Sequence, residues 1–185
     1  MPDVSINEVK NLSTYDDSSI KVLSDIDHIQ QRPLMYINAE TPTLQMFEEI
    51  FSNSLDEVLN DYADEIQITI DYETGTITIK DNGRGLPQGI NETLQKPTIE
   101  VIYSKLNSGG KYDTESYTVS GGLHGVGSCV VNALSHSLYV LTYRDRYFTE
   151  IHFVNGYRQS YTEPRPGPWR RCCGCFPEWP WMAKR

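Results

Sequence analysis

Residues 41–86 read TPTLQMFEEIFSNSLDEVLNDYADEIQITIDYETGTITIKDNGRGL, and this stretch decides the class of fold. Its first half has helical spacing and begins at Thr41, a good N-cap residue, so we predict a helix over residues 41–60. Its second half alternates apolar and polar residues over 66–71 and 75–80. That alternation indicates two half-buried strands joined by a tight turn. The expected domain therefore contains a helix followed by a β-hairpin.

The pattern continues on the C-terminal side of this stretch. Helical spacing returns twice, and three alternating segments follow that are separated by short polar turns. Such turns connect antiparallel neighbours, so the predicted class is α+β with a mostly antiparallel sheet. The predicted helices are residues 98–107 and 125–136, and the predicted strands are residues 137–143, 147–153 and 157–161.

The chain has 185 residues and a net charge of −9, and its charge is unevenly distributed. Residues 164–185 contain five basic residues and one acidic residue, so residues 1–163 carry −13. An acidic body of this kind repels nucleic-acid backbones, so it is a poor candidate for the main nucleic-acid-binding surface. No apolar run is long enough to span a membrane, and the first residues do not resemble a secretory signal. We therefore expect a cytoplasmic protein with no membrane partner.

The C-terminal segment 164–185 differs in composition from the rest. It holds all three Trp, three of the four Cys and five of the ten Pro, without helical or strand periodicity. Cys172, Cys173 and Cys175 could suggest zinc, but a structural zinc site usually needs a second ligand pair, which the sequence lacks. We expect an aberrant or disordered tail, such as a frameshifted or truncated end.

The helix over 41–60 has two contrasting faces. At about 100° per residue, one face carries polar side chains within two turns, and the other is apolar. One interpretation is a solvated acidic face. The other is a site in which a carboxylate takes a proton from water and an amide oxygen binds Mg²⁺. The polar face consists of Glu49, Asn53 and Asp56, and the apolar face of Leu44, Phe47, Phe51, Leu55 and Val58.

Two glycine-containing segments add candidate residues. Asp81 follows a strand and precedes Gly83 and Gly85, which is typical of a turn but also leaves a carboxylate able to bind the amine of adenine. Residues 120–127 place four glycines before a helix, where backbone N–H groups attract phosphate; the alternative is a flexible loop. The spacing matches neither a Walker loop nor a Rossmann fingerprint. Lys111 is either a solvated lysine or a counter-charge to such a phosphate.

The order of these motifs resembles the ATP-binding domain of the GHKL superfamily. Within it, the chain is similar to the B-type subunits of bacterial type II topoisomerases, gyrase B and the topoisomerase IV subunit ParE. The similarity covers about residues 13–163. It is carried by Glu49, Asn53 and Asp56, and by residues 15–23, 32–37, 81–85, 109–112 and 120–127.

This resemblance implies a role for each matching residue. Glu49 would be the general base that activates water, Asn53 the Mg²⁺ ligand and Asp81 the adenine-binding carboxylate. Tyr15 would reach from an N-terminal arm into the nucleotide site of a partner protomer. The other implied ATP-binding residues are Asp56, Gly83, Arg84, Gly85, Lys111, Tyr117, Gly122, Leu123, His124, Gly125, Val126, Gly127 and Ser128.

The resemblance also implies the architecture and the activity. The fold would be a GHKL (Bergerat) α/β sandwich with helices on one face of the sheet. Residues 1–20 would form a dimerisation arm, 21–163 the ATP-binding domain and 164–185 the tail. With ATP and Mg²⁺, such a domain would act in a homodimeric topoisomerase whose closure gates DNA strand passage.

In that enzyme an A-type topoisomerase subunit (GyrA- or ParC-like) and DNA would be partners through further domains. The family's transducer domain supplies a lysine to the γ-phosphate, and nothing in these 185 residues matches it. The alternative function is therefore a non-catalytic fragment that binds nucleotide and dimerises without turnover.

Overall fold

The helices lie between stretches of antiparallel strand in a computed structural model that describes residues 17–108, 125–167 and 173–178. Within those residues there are four α-helices and eight strands, together with short 3₁₀ turns at Asp17–Ser19 and Pro33–Met35. The helices are α1 (Asp25–Gln31), α2 (Pro42–Leu59), α3 (Thr98–Ser104) and α4 (Gly127–Leu134). The strands are β1 (Ile66–Asp71), β2 (Thr76–Asp81), β3 (Ile90–Asn91), β4 (Lys96–Pro97), β5 (Ser137–Arg144), β6 (Tyr147–Val154), β7 (Tyr157–Pro166) and β8 (Cys173–Glu178).

Six strands form the main sheet in the order β1-β2-β8-β5-β6-β7, and every described neighbouring pair is antiparallel. Alternate residues of β5 and β6 are buried, among them Val140, Ile151 and Phe153. Burying each such side chain contributes roughly 1.5–3 kcal/mol. Met46 and Ile50 of α2 belong to the same core cluster, so the helices cover this face of the sheet.

The predicted class, an α+β fold with a mostly antiparallel sheet, is confirmed. The helix predicted over 41–60 is α2, which begins after Thr41 with a proline at its first position. The hairpin predicted at 66–80 is β1 and β2, and Gly75 in its turn has a φ of 69°. Local periodicity was sufficient to locate all three elements, and α2 and β2 each have a buried side. Strand β1 differs from the predicted half-buried strand, because it is the edge strand and Ile68 and Ile70 are each 42% exposed.

The buried side of α2 differs from the predicted apolar face. Met46 and Ile50 are buried most deeply, whereas Leu44, which belongs to the predicted apolar face, is 52% exposed. Phe47 and Phe51 only flank the core. The helix contacts both β2 and α4, so its buried line lies between these two neighbours. Because α2 packs against two neighbours, its most buried side is not the side that carries most of its apolar residues.

The C-terminal segment also differs from expectation. We expected residues 164–185 to be an aberrant or disordered tail, but β7 extends to Pro166, and residues 173–178 form a strand between β2 and β5. Strand pairing uses backbone N–H and C=O groups, which any residue except proline supplies in full. The absence of side-chain periodicity therefore did not exclude a strand. The division into arm, domain and tail stays a prediction.

Helix α1 was not predicted. Ser24 caps it by accepting a hydrogen bond from the Asp27 backbone N–H at 3.1 Å. Ile26 and Ile29 are buried against Cys129 and Val130 of α4. The element has only seven residues, too few for a clear helical period. No helix in the described part of the chain is long and apolar enough to cross a membrane.

Candidate functional site

One half of the candidate site is formed where α2 faces the first turn of α4, and we call it the helix end (Glu49, Asn53, Gly127 and Ser128). The Glu49 carboxyl group lies directly against Gly127. A side-chain carbon added at Gly127 would stand 2.7 Å from the carboxyl carbon of Glu49 and would overlap its Oε2. Only glycine therefore lets the carboxylate approach the α4 backbone this closely.

Asn53 lies one turn further along α2, on the same side as Glu49. Its Nδ2 donates to Oγ of Ser128 at 3.4 Å. Glu49 and Asn53 are both half-buried. The residues before α4 turn sharply, since Gly125 has a φ of 61° and Val126 is the N-cap. The sequence predicted that Glu49 and Asn53 would share a face, and the structure places both beside the start of α4.

The other half of the site lies where β2 ends, and we call it the strand end (Asp81, Gly83, Arg84 and Gly85). The Asp81 carboxylate accepts a hydrogen bond from Oγ of Ser54 at 2.8 Å and one from the backbone N–H of Gly83 at 3.0 Å. Ser54 is on α2, so this helix contributes side chains to both halves of the site.

Burial raises the pKa of Asp81 above its ordinary value. The hydrogen bonds from Gly83 and Ser54 act in the opposite direction, and the nearby negative charge of Glu57 raises the pKa further. Burial has removed part of the water that would otherwise hydrate this carboxylate. The carboxylate is therefore a strong acceptor for a hydrogen-bond donor on a ligand that takes the place of water.

Glu57 was not singled out in the sequence, and it holds the loop at the strand end. Its carboxylate accepts hydrogen bonds from Arg84: from the backbone N–H at 2.9 Å, from Nε at 3.2 Å and from Nη2 at 2.8 Å. The guanidinium carbon of Arg84 also lies 3.5 Å from the centre of the Tyr62 ring. The sequence does contain a pattern that indicates Glu57, because Glu49, Asn53 and Glu57 are spaced at i, i+4 and i+8 on one helical face.

Two glycines give the strand end its shape. At Gly83, an added side-chain carbon would stand 2.8 Å from Glu57 Oε2 and 2.9 Å from Asp81 Oδ1. At Gly85, where φ is 75°, it would overlap the backbone carbonyl of Tyr143. The loop is tied to β5 at the same point, since Leu86 N–H donates to Oγ1 of Thr142 at 2.8 Å.

A cavity of about 460 Å³ adjoins this loop. Pro87, Gln88 and Arg144 are part of its lining. Nη1 of Arg144 donates to the Gly85 carbonyl at 3.1 Å, and Nε2 of Gln88 donates to the Thr142 carbonyl at 3.1 Å. The loop that follows Asp81 is thus held between the sheet and an open recess.

The remaining predicted residues have different outcomes. Asp56 is on α2 but is 1% exposed, and Glu57 beside it is the residue that binds Arg84. Tyr15, Lys111, Tyr117, Gly122, Leu123 and His124 lie outside the described residues. Among the residues that are described, no three His, Cys, Asp or Glu side chains form a metal-binding group.

These two halves suit an elongated ligand with different chemistry at its two ends. The helix end brings a carboxylate and an amide to the N-terminus of α4, where backbone N–H groups attract anions. The strand end presents a carboxylate that accepts hydrogen bonds. Acidic side chains close to an anion-binding helix suit a metal-bound phosphate better than a bare one.

Residues 38–156 match the family described as histidine kinase-, DNA gyrase B- and HSP90-like ATPase. The B-type subunit of DNA topoisomerase 4 from Staphylococcus aureus (strain MW2) is 47% identical over 146 residues, which cover 78% of this chain and 22% of that protein. The chain thus spans about a fifth of the length of the curated relatives it matches.

Two solved structures are also similar. One is the 43K ATPase domain of Thermus thermophilus gyrase B in complex with an aminocoumarin, with a TM-score of 0.71 and 30% identity over 90% of this chain and 42% of the other. The second is the ATP-binding domain of Francisella tularensis topoisomerase IV in complex with a small-molecule inhibitor. Its TM-score is 0.68, with 35% identity over 86% of this chain and 42% of the other.

Proposed function

Because the chain belongs to the family of histidine kinase-, DNA gyrase B- and HSP90-like ATPases, we propose that it is the ATP-binding and ATP-hydrolysing part of a B-type subunit of a type II topoisomerase. The observation that carries this proposal is the contact between α2 and α4 at the helix end. There the carboxyl group of Glu49 lies against the first residue of a helix whose N-terminus attracts phosphate.

Glu49 is the proposed general base. Its carboxylate lies beside the α4 backbone, so a water between it and a phosphate bound there could lose its proton to Oε1 or Oε2. The backbone N–H groups of α4 would stabilise the charge that develops on the phosphate oxygens. Gly127 supports the role because it lets the base and the phosphate-binding backbone approach each other.

Asn53 is the proposed Mg²⁺ ligand. Its side-chain amide oxygen is the hard type of donor that this ion prefers, and its Nδ2 is oriented by Ser128. When bound, Mg²⁺ would neutralise part of the triphosphate charge. Gly125, Val126, Gly127 and Ser128 would contribute to phosphate binding, as would Lys111, Tyr117 and residues 122–124, which lie outside the described residues.

Asp81 is the proposed adenine contact. Its carboxylate would accept a hydrogen bond from the exocyclic amine, while Ser54 and the Gly83 N–H hold it in place. The raised pKa of this carboxyl is consistent with such a role, because a donor from the base would compensate its desolvation. Gly83, Arg84 and Gly85 would form the wall beside the base, with Asp56 nearby on α2.

The larger assembly is part of the same proposal. Tyr15 would reach into the site of a second protomer, so that ATP binding closes a homodimer and gates DNA strand passage. The A-type subunit and DNA would bind through domains of a longer protein, consistent with the −13 net charge of residues 1–163. Loss of nucleotide-dependent dimerisation in Tyr15→Ala is the expected result, measured by light scattering.

Calorimetric titration with a non-hydrolysable ATP analogue, with and without Mg²⁺, tests the binding site. We expect Mg²⁺-dependent binding that Asp81→Ala weakens about 10- to 100-fold, since a charge-assisted hydrogen bond is lost. The matched control is Asp145→Ala, whose side chain is 89% exposed in a turn. Equal affinity of Asp81→Ala and the original chain would contradict the adenine assignment.

Phosphate release from ATP separates the two candidate functions. Turnover that depends on Glu49 supports the ATPase, and the contact between Glu49 and Gly127 favours this outcome. Mg²⁺-dependent binding without turnover would instead identify a non-catalytic nucleotide-binding and dimerisation fragment. That result would follow if the transducer lysine, which nothing in the given sequence matches, is required for hydrolysis.

A further inference from the structure

One side of strand β1 is unpaired within the part of the chain that the structure describes. Among the described strands, β1 is the first of the main sheet and pairs only with β2. Its residues Ile68 and Ile70 are each 42% exposed. Unpaired backbone groups beside exposed apolar side chains form a template on which another extended chain can add a strand. We call this free side of β1 (Ile66–Asp71) the open edge.

The strand register shows which backbone groups point to the open edge. The backbone N–H of Asn82 donates to the carbonyl of Glu65 at 3.4 Å, in register with the pairs between β1 and β2. In an antiparallel pair, residues that bond to the partner strand alternate with residues whose N–H and C=O groups point away from it. Because Glu65 bonds toward β2, the backbone groups of Ile66, Ile68 and Ile70 point to the open edge.

The apolar side chains of these residues lie on the face of the sheet that the helices cover. Ile68 is opposite Ile79 and Ile70 is opposite Ile77, and residues opposite each other in an antiparallel pair share a face. Ile77 and Ile79 are buried in the core. A strand added at the open edge would place every second side chain beside Ile68 and Ile70, so it needs apolar residues at alternate positions.

Carboxylates lie at the start of the open edge. Asp61, Asp64 and Glu65 are all exposed. Asn82 holds this end in place, because its Oδ1 accepts hydrogen bonds from the backbone N–H groups of Asp64 at 3.0 Å and of Glu65 at 3.2 Å. The backbone that carries these negative charges therefore has a fixed position beside the first residue of β1.

The other end of the open edge is acidic as well. Asp71 is the last residue of β1 and Glu73 follows it in the turn, and both are exposed. Hydrogen bonds from the side chain of Thr74 and from the backbone N–H groups of Thr74 and Glu73 lower the pKa of Asp71, so this carboxyl is ionised at neutral pH. Residues 61–75 contain five carboxylates and no Lys, Arg or His.

These charges favour a basic partner over a second copy of the chain. Two β1 strands paired in either direction would bring the acidic ends of one beside the acidic ends of the other, and like charges in such positions oppose pairing. A strand with a cation at each end would instead be attracted. Glu65 and Asp71 are six residues apart, or about 20 Å along a strand, which sets the spacing of those cations.

We propose that the open edge binds an extended segment of another protein that has apolar side chains at alternate positions and a Lys or Arg at each end. The backbone of that segment pairs with Ile66, Ile68 and Ile70, and its apolar side chains pack on Ile68 and Ile70. Its cations lie beside the two acidic ends of the strand. The proposal does not depend on nucleotide binding, because neither Glu49 nor Asn53 belongs to this surface.

Fluorescence anisotropy of a labelled peptide, KVTVTVK, tests the proposal on the full chain without nucleotide. The peptide has the required alternation and carries its two lysines six residues apart. We expect saturable binding that the double variant Ile68→Ser with Ile70→Ser weakens about 10- to 30-fold, because the apolar contact is lost. The matched control is Gln67→Ser with Thr69→Ser on the opposite face of β1, which should weaken binding less than about threefold.

The charges are tested separately at low salt. Glu65→Gln with Glu73→Gln should weaken peptide binding about 3- to 10-fold, since each exposed ion pair contributes modestly. Glu48→Gln with Glu92→Gln removes the same charge from exposed positions elsewhere and should leave the affinity nearly unchanged. The acidic peptide EVTVTVE should not bind.

Four results would overturn the proposal: no binding of KVTVTVK at millimolar concentration, equal binding of EVTVTVE, or equal effects of the two double serine variants. The fourth is a nucleotide-free dimer, seen by light scattering, that the Ile68 and Ile70 variant converts to a monomer, because the occupant would then be a second copy. If that variant does not fold, amide-resolved hydrogen exchange of the original chain decides. The peptide should slow exchange at Ile68 and Ile70 more than at Thr69, whose N–H faces β2, and the absence of this alternation contradicts the proposal.

Discussion

The two halves of the candidate site are held in place by different means. At the strand end, polar groups fix one another: Ser54 and Gly83 hold Asp81, and Glu57 holds Arg84 with hydrogen bonds of 2.8–3.2 Å. At the helix end, close packing contributes more than hydrogen bonding to holding the side chains in place. The Glu49 carboxylate rests against a residue without a side chain, and the bond from Asn53 to Ser128 is long at 3.4 Å.

This difference indicates where the site is rigid and where it can adjust. Charge-assisted hydrogen bonds position the strand end before any ligand arrives, which would lower the entropic cost of binding the adenine proposed above. The helix end leaves a carboxylate and an amide that can change partners when a metal-bound phosphate enters. Recognition would then depend on the rigid half and chemistry on the adjustable half.

The largest expected effect is at the helix end. Glu49→Ala should lower ATP turnover about 100- to 10,000-fold by removing the proposed general base, with little change in nucleotide affinity. Phosphate release measures the first quantity and calorimetry the second. Glu48→Ala, an exposed neighbour on α2, is the control. If affinity falls as much as turnover, Glu49 has a structural role and the proposed contrast between the halves is lost.

The next effect is on stability and belongs to the strand end. Gly85→Ala should destabilise the fold by about 2–4 kcal/mol, because a side chain there is strained at positive φ and overlaps a carbonyl of β5. Urea denaturation measures the change. Gly89→Ala serves as the control, since nothing lies within 4 Å of the added carbon. Equal stability of the two variants would show that the loop after Asp81 is not rigid.

Gly127→Ala tests the adjustable half in the same way and should give the opposite result. The added carbon overlaps the carboxyl end of the flexible Glu49 side chain, which can move, and it lies 3.1 Å from Cβ of Glu49, which requires a small shift of α2. Alanine also favours the helix. Stability should therefore change little, while turnover falls about 10- to 100-fold as the base is displaced. A loss of stability like that of Gly85→Ala would mean that both halves are equally rigid.

The smallest effect is a pH dependence at Asp81. Because burial raises its pKa in the folded state, the ionised carboxylate costs stability once the pH rises through that pKa. Asp81→Asn carries no charge and should melt at a higher temperature than the original chain at pH 7. The difference should vanish below the ordinary value of 3.8, where Asp81 is protonated in both states. A lower melting temperature at pH 7 would show that the charge is compensated.

The sequence predicted those features that depend on local patterns. The helix starting after Thr41 and the β1–β2 hairpin are periodic, and Glu49 and Asn53 share a face because of simple helical geometry. Asp81 could be selected because it ends a strand before two glycines. The roles of these residues remain predictions.

The features that were missed depend on tertiary contacts. Glu57 acquires its place only because the loop after β2 folds back and brings Arg84 to it. Leu44 stays exposed because α2 is packed between β2 and α4. Residues 173–178 have no strand period, and they pair because the sheet has two strands, β2 and β5, on either side of them.

The position of β8 has a consequence for how the molecule is made. It is the last strand along the described chain, yet it joins β1 and β2 on one side to β5, β6 and β7 on the other. During synthesis the ribosome must release residue 178 before these two groups can be linked through it. Its pairs with β2 span about 100 residues of chain, as for Thr76 and Glu178, so they raise the contact order and slow folding. Until residues 173–178 pair with them, the edges of β2 and β5 are unpaired and open to aggregation. A nascent chain would depend on chaperones at this stage.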